Sequence, residues 1–166
     1  MSVCCDRGDS VLDFNLKNNI KNRLLFGEYY EKKLLELLDE NNLNFKNVSV
    51  EDPMCFYDFL RQDTKTPVII ELKSIINTTN KNIHLVSYYK IQKYKKMLRK
   101  NPQTRFIYIF NQVKTQEEYE FFYHEIDIKK INNDDYFLTT LPDGSKYFEI
   151  PKRYFQTLKN NLEILN

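Results

Sequence analysis

Asp58, Glu71 and Lys73 stand where the surrounding pattern asks for strand residues. They belong to two short runs, Phe56-Tyr57-Asp58-Phe59-Leu60 and Pro67-Val68-Ile69-Ile70-Glu71-Leu72-Lys73, separated by a polar stretch. Both runs are rich in aromatic and β-branched residues, which predicts a β-hairpin. Residues two apart on a strand share a face, so Glu71 and Lys73 project together. A turn around residues 63–65 then brings Asp58 close to Glu71. Two carboxylates and an ammonium on one sheet face suit a hard divalent cation and the water it activates. The plainer reading is an Asp58–Lys73 ion pair, or charges facing solvent from an ordinary sheet. In a chain that is 29% charged, such spacings also arise by chance.

The elements that must position these residues can be read from periodicity. Residues 22–40 predict a helix, with Leu24, Leu34, Leu35 and Leu38 on one stripe. Gly27, Glu28 and Glu31 fall on that same stripe. Polar residues on a face meant for the sheet either point at something polar or sit at the stripe's edge and reach Lys32, Lys33 or water. Gly27 either permits a close approach or is a tolerated weak point. Residues 45–50 predict a first strand, 56–60 and 68–73 the hairpin, and 74–82 a polar loop. Residues 83–100 predict a second helix, with Ile83, Val86, Ile91, Tyr94, Met97 and Leu98 as its apolar side and Pro102 beyond its end. The run Phe-Ile-Tyr-Ile-Phe within residues 105–110 predicts a strand buried on both faces. A helix leading into such a strand implies a crossover to a parallel neighbour. Residues 115–124 predict a short helix with Glu117 and Glu118 in its first turn. Residues 136–140 and 146–150 predict a hairpin closed by Asp143-Gly144. Pro151 is expected to open a final helix running to residue 165.

Composition narrows the class. With 166 residues, 42% of them hydrophobic, and 12 Phe and 12 Tyr, the chain can bury a real core. It reads as a single domain over residues 16–166, with a core over 22–110, an appendage over 111–166, and residues 1–15 as a loosely held arm. The net charge is only +2, so a nucleic-acid surface would have to come from local clustering. The second helix supplies such a cluster in Lys90, Lys93, Lys95, Lys96, Arg99 and Lys100. A solvated helix face is the commoner meaning of such a run. Cys4, Cys5 and Cys55 read as reduced thiols of an intracellular protein. A zinc site is disfavoured with only His84 and His124 as histidine ligands. No apolar run approaches the roughly 20 residues of a membrane span, and no membrane partner is expected. Three glycines leave no room for a phosphate-cradling loop, and no nucleophile elbow is present.

This element order and these residues resemble the PD-(D/E)xK nuclease superfamily, which includes Holliday-junction resolvases and restriction endonucleases. The likeness runs over about residues 22–110. It implies an α/β, restriction-endonuclease-like core (α-β-β-β-α-β), here followed by a C-terminal β-hairpin and helix. It implies that Asp58, Glu71 and the backbone carbonyl of Leu72 hold Mg²⁺ or Mn²⁺, with Lys73 as the superfamily's lysine. Glu28 or Glu31 would take the place of the first-helix glutamate that binds a second metal, directly or through water. Lys90-Ile91-Gln92-Lys93-Tyr94 fits the second-helix position, with Gln92 orienting the nucleophile or a phosphate. Lys90, Lys93, Lys96 and Lys100 would follow a phosphate backbone. The implied activity is phosphodiester hydrolysis in nucleic acid, DNA before RNA, with structural or weak sequence specificity. Resolvase-like members work as dimers, so a homodimer is the implied assembly. Tyr57 stands where the superfamily carries a proline before the aspartate. The alternative is a catalytically inactive module of the same fold that binds nucleic acid or a protein partner.

Overall fold

A computed structural model describes residues 20–52, 54–76, 83–132 and 135–166. The expected N-terminal arm, Cys4, Cys5 and most of the 74–82 loop lie outside the described residues.

Helix α1 (Ile20–Glu40) lays Phe26, Tyr30, Leu34 and Leu38 against one face of the main sheet. Spaced four apart, these side chains form one continuous buried stripe. Leu24, expected on that stripe, is 62% exposed. It precedes Phe26 by two residues, about 200° around the helix, so it faces outward once Phe26 faces in. Gly27 has open space where a side chain would be, which makes it a tolerated weak point rather than a close approach.

The main sheet has six strands in the order β1-β2-β3-β5-β6-β9. These are β1 (Lys46–Asn47), β2 (Phe59–Arg61), β3 (Val68–Ile76), β5 (Arg105–Val113), β6 (Tyr119–Glu125) and β9 (Gln156–Thr157). Strands β2 and β3 pair antiparallel, with Phe59 opposite Ile70. Strands β3 and β5 pair parallel from Val68↔Arg105 to Ile76↔Val113. The crossover between them carries β4 (Ile83–Ser87) and helix α2 (Tyr88–Lys100). Beyond β6 come the short helix α3 (Ile128–Asn132), then β7 (Phe137–Thr140) and β8 (Lys146–Pro151). Strands β4, β8 and β7 form a second, three-stranded sheet. It shares a hydrophobic core with α2 and the face of the main sheet opposite α1, through Val86, Ile91, Tyr94, Phe106, Tyr108, Phe110, Phe148 and Ile150.

Several expectations are corrected. Residues 83–87 form strand β4, not the first turns of a helix, because their alternating burial is satisfied by pairing with β8, His84 opposite Ile150. Residues 119–125 form strand β6, in place of the helix expected over 115–124. Seven registered pairs with β5, from Ile107↔Glu125 to Val113↔Tyr119, outweigh the local acidic first-turn signal. Pro151 ends β8 instead of opening a helix, and the remaining residues form two short 3-10 turns around β9. The first strand is only two residues long, and β2 starts at Phe59, three residues later than expected. The 136–140 and 146–150 hairpin is present as β7 and β8, with Gly144 at φ +82° in its turn. Residues 111–166, read as an appendage, contribute β6 and β9 to the main sheet and β7 and β8 to the second.

Candidate active site

The register that sets Phe59 against Ile70 places Asp58 beside Glu71, just past the end of β2. Asp58 is fixed by its own backbone. Its N–H donates to the Ile70 carbonyl at 2.8 Å, and its carbonyl accepts from Val48 N–H at 2.8 Å. Its side-chain Oδ2 accepts from Leu72 N–H at 2.7 Å. Asp58 directly precedes the first residue of β2, so its carboxyl group lies at a strand end.

Glu71 is 7% exposed. Alternation along β3 puts Val68, Ile70 and Leu72 in the core beneath α1, and Ile69 in the opposite core. Glu71 and Lys73 therefore share the α2 side of the sheet. Tyr108, opposite Glu71 in the parallel register and 3% exposed, helps wall it off from water. The Tyr108 hydroxyl donates to the Leu85 carbonyl at 3.2 Å. Lys73 is exposed, and its charge favours the ionised form of Asp58.

The electrostatics of the pair are those of two acids competing for one counter-charge. Burial, and then the charge of Asp58, push the Glu71 carboxyl up to about 8, against the pull of Lys90. Asp58 is also raised, by burial, against the opposing effects of Leu72 N–H, Lys90, Glu71 and Lys73. The two carboxyl groups lie within hydrogen-bond reach of each other. They can bond only if one keeps a proton. Without that proton, Glu71 Oε2 is buried with no donor among the described residues.

On the other side of Glu71, Lys90 Nζ donates to Oε1 in an ion pair. Lys90, expected among the residues that follow a phosphate backbone, instead closes on the carboxylate pair. The sequence does carry a signal for it, since Lys90 lies in the five-residue stretch matched to the second-helix position. Gln92, expected to act there, is about 200° around α2 from Lys90 and so points elsewhere. No hydrogen bond among the described residues joins Gln92 to the carboxylates. Lys93, Lys96 and Lys100 lie on the outer face of α2 with Tyr89, all exposed, and Lys93 Nζ sits 5.1 Å from the Tyr89 ring centre.

The two helix glutamates divide. Glu31 accepts from Asn47 Nδ2 at 3.2 Å and Ser49 Oγ at 3.0 Å. Burial raises its carboxyl first, and the charge of Asp58 raises it further, so Glu31 faces the same corner. Asn47 and Ser49, not singled out in the sequence, hold it there. Glu28 is exposed and close enough to add to the charge around Glu31.

Among the described residues, no three His, Cys, Asp or Glu side chains converge tightly enough to enclose a metal ion. The donor set nevertheless suits a hard cation. It consists of oxygen only, it carries two carboxyl groups in contact, and one of them has a buried oxygen with no donor among the described residues. Such a cation would rest on few protein ligands and keep several waters, as Mg²⁺ commonly does.

No known protein family matches the chain, and no curated protein matches it. Among solved structures, it is similar to Hjc, a Holliday junction resolvase of Archaeoglobus fulgidus. The identity is 12% and the TM-score 0.46, over 82% of this chain and 98% of that one. A likeness at that level assigns neither family nor activity. Among the described residues, no helix is long and apolar enough to cross a membrane.

Proposed function

We propose that this chain is a divalent-metal-dependent nuclease that hydrolyses phosphodiester bonds, with DNA rather than RNA as substrate. The observation that carries the reading is Glu71: a buried carboxyl group held against Asp58, with one oxygen that receives no hydrogen bond from a donor among the described residues. Leaving a buried acid in that condition costs stability and has no evident structural return. Mg²⁺ or Mn²⁺ held by Asp58, Glu71 and the Leu72 carbonyl would supply charge neutralisation and a more acidic water. Glu31, rather than Glu28, is the first-helix glutamate of the site, since Asn47 and Ser49 aim it there. Lys73, on the Glu71 side of the sheet, stabilises charge on the phosphate or orients the attacking water. Lys93, Lys96 and Lys100 form an exposed stripe one helix face away, suited to phosphates without reading bases. Recognition is then structural or only weakly sequence-specific. The protein acts as one domain over residues 16–166, in an intracellular compartment and as a homodimer.

A second reading is a catalytically inactive module of the same fold that binds nucleic acid or a protein partner. One observation favours it: the ammonium of Lys90 already occupies Glu71 Oε1. Incubation of the purified protein with labelled single-stranded, duplex and branched DNA and with RNA, in Mg²⁺ or Mn²⁺, separates the two. Cleavage that EDTA stops, and that Asp58→Asn lowers by several orders of magnitude with an unchanged circular dichroism spectrum, supports the nuclease. Failure to cleave all four substrates, together with failure to bind Mn²⁺, leaves the inactive module.

A further inference from the structure

From the contact between helix α2 and strand β3, we infer that Lys90 is a built-in stand-in for the cation: its ammonium occupies Glu71 Oε1 in the metal-free protein, and the metal must displace it. The inference rests on the reading that Asp58 and Glu71 take a divalent cation. It adds a residue that competes for the site and a movement that binding requires.

The geometry supports this in three ways. First, Lys90 bonds to only one Glu71 oxygen, Oε1, and leaves Oε2 and the Asp58 carboxyl without a cationic hydrogen-bond donor. One monovalent ammonium does not satisfy both carboxyl groups, which need a shared proton besides to bond to each other. Second, the Lys90 side chain is 27% exposed, whereas that of Glu71 is 9% exposed. The lysine therefore reaches the pair from the solvent side and has a way out, while the carboxylate is fixed. Third, Lys90 lies in the first turn of α2, next in sequence to exposed Tyr89 and three residues before exposed Lys93. Once released, its flexible four-carbon stem lets the ammonium turn out to water. An ammonium and a divalent cation cannot both sit against Glu71 Oε1 without strong repulsion. Metal binding and release of Lys90 are thus one event.

The test uses the whole chain and Mn²⁺ as the probe. Mn²⁺ affinity is measured by calorimetry for the wild type, Lys90→Met, Lys90→Gln and Glu71→Gln. Removing the competing charge is expected to tighten Mn²⁺ binding by about tenfold or more in Lys90→Met, and similarly in Lys90→Gln, while metal-free thermal stability falls. Glu71→Gln is expected to lose Mn²⁺ binding. In the wild type, the rate at which an amine-acylating reagent modifies Lys90, followed by mass spectrometry, is expected to rise several-fold when Mn²⁺ is added. That readout needs no variant and stands if the Lys90 variants fold poorly. Unchanged Mn²⁺ affinity in both Lys90 variants, or Lys90 reactivity unmoved by bound Mn²⁺, overturns the displacement and leaves the metal site standing. Weaker Mn²⁺ binding in folded Lys90 variants also overturns it, making Lys90 an organiser of the site. Absence of Mn²⁺ binding in the wild type and in both Lys90 variants removes the metal reading and the displacement together.

Discussion

Glu71→Gln in the metal-free protein is the most direct probe of the carboxylate pair. An acid whose carboxyl is raised in the folded state stays protonated there after the unfolded chain has released its proton. Stability is then full below the unfolded value, falls as pH rises toward the folded value, and is level above it. For Glu71 the window runs from 4.5 to about 8. At about 1.36 kcal/mol per pH unit, that displacement is a cost on the order of 5 kcal/mol at pH 8.5. Glutamine stands in for the protonated acid and removes the cost, and the attraction of Lys90 is already contained in that displacement. The Lys90 side chain, 27% exposed, can turn to water in the variant. The variant should therefore be more stable than the wild type at pH 8.5 by up to about 5 kcal/mol, which is roughly 10–20 °C in Tm for a chain of this size. At pH 4.5, where Glu71 is largely protonated, the advantage should vanish or reverse. Thermal melts in EDTA every half unit from pH 4.5 to 9 read this directly. Equal slopes for the two proteins between pH 5 and 8 would refute the reasoning, since Glu71 would then be titrating as an ordinary exposed acid.

The acid limb should come from the two histidines. Burial lowers His84 and His124 from 6.5 to about 4, so the folded protein resists protonation and loses stability as pH falls from about 6.5 toward 4. His124→Gln should flatten that limb in the same melts, and an unchanged limb would count against it. On the outer face of α2, neutralising Lys93, Lys96 and Lys100 together should weaken binding to all nucleic-acid sequences alike. It should also reduce the slope of log affinity against log salt by about 0.7–0.9 for each phosphate that these lysines neutralise in the wild type. An unchanged slope would mean that this stripe is only a solvated face.

The parts of the fold that could be read from the chain are those set by neighbours close in sequence. The β2–β3 hairpin is one. Its short turn and two-residue alternation leave one register that buries Phe59, Ile70 and Leu72 together, and that register puts Asp58 at Glu71. The β7–β8 hairpin is another, since Asp143-Gly144 fixes its turn. The misread parts depend on distant partners. Ile83–Ser87 is a strand because β8, more than sixty residues later in the chain, pairs with it. Tyr119–Glu125 is a strand because β5 offers an open edge. An isolated window of sequence contains neither fact.

Lys90 is the half-legible case. It lies in the stretch matched to the second-helix position, and it stands four residues after Val86 and seven after Ile83, on their face of a helix read from residue 83. What that stretch does not contain is the carboxylate that meets it. Helix α2 starts at Tyr88, and its buried residues are Ile91 and Tyr94. In that phase Lys90 flanks the buried side and pairs with Glu71, while Gln92 and Lys93 turn away. The core that holds Ile91 and Tyr94 also contains Phe148 and Ile150 of β8. The rotation of α2, and with it the residue that reaches Glu71, therefore rests in part on a strand that carries none of the site's carboxylates.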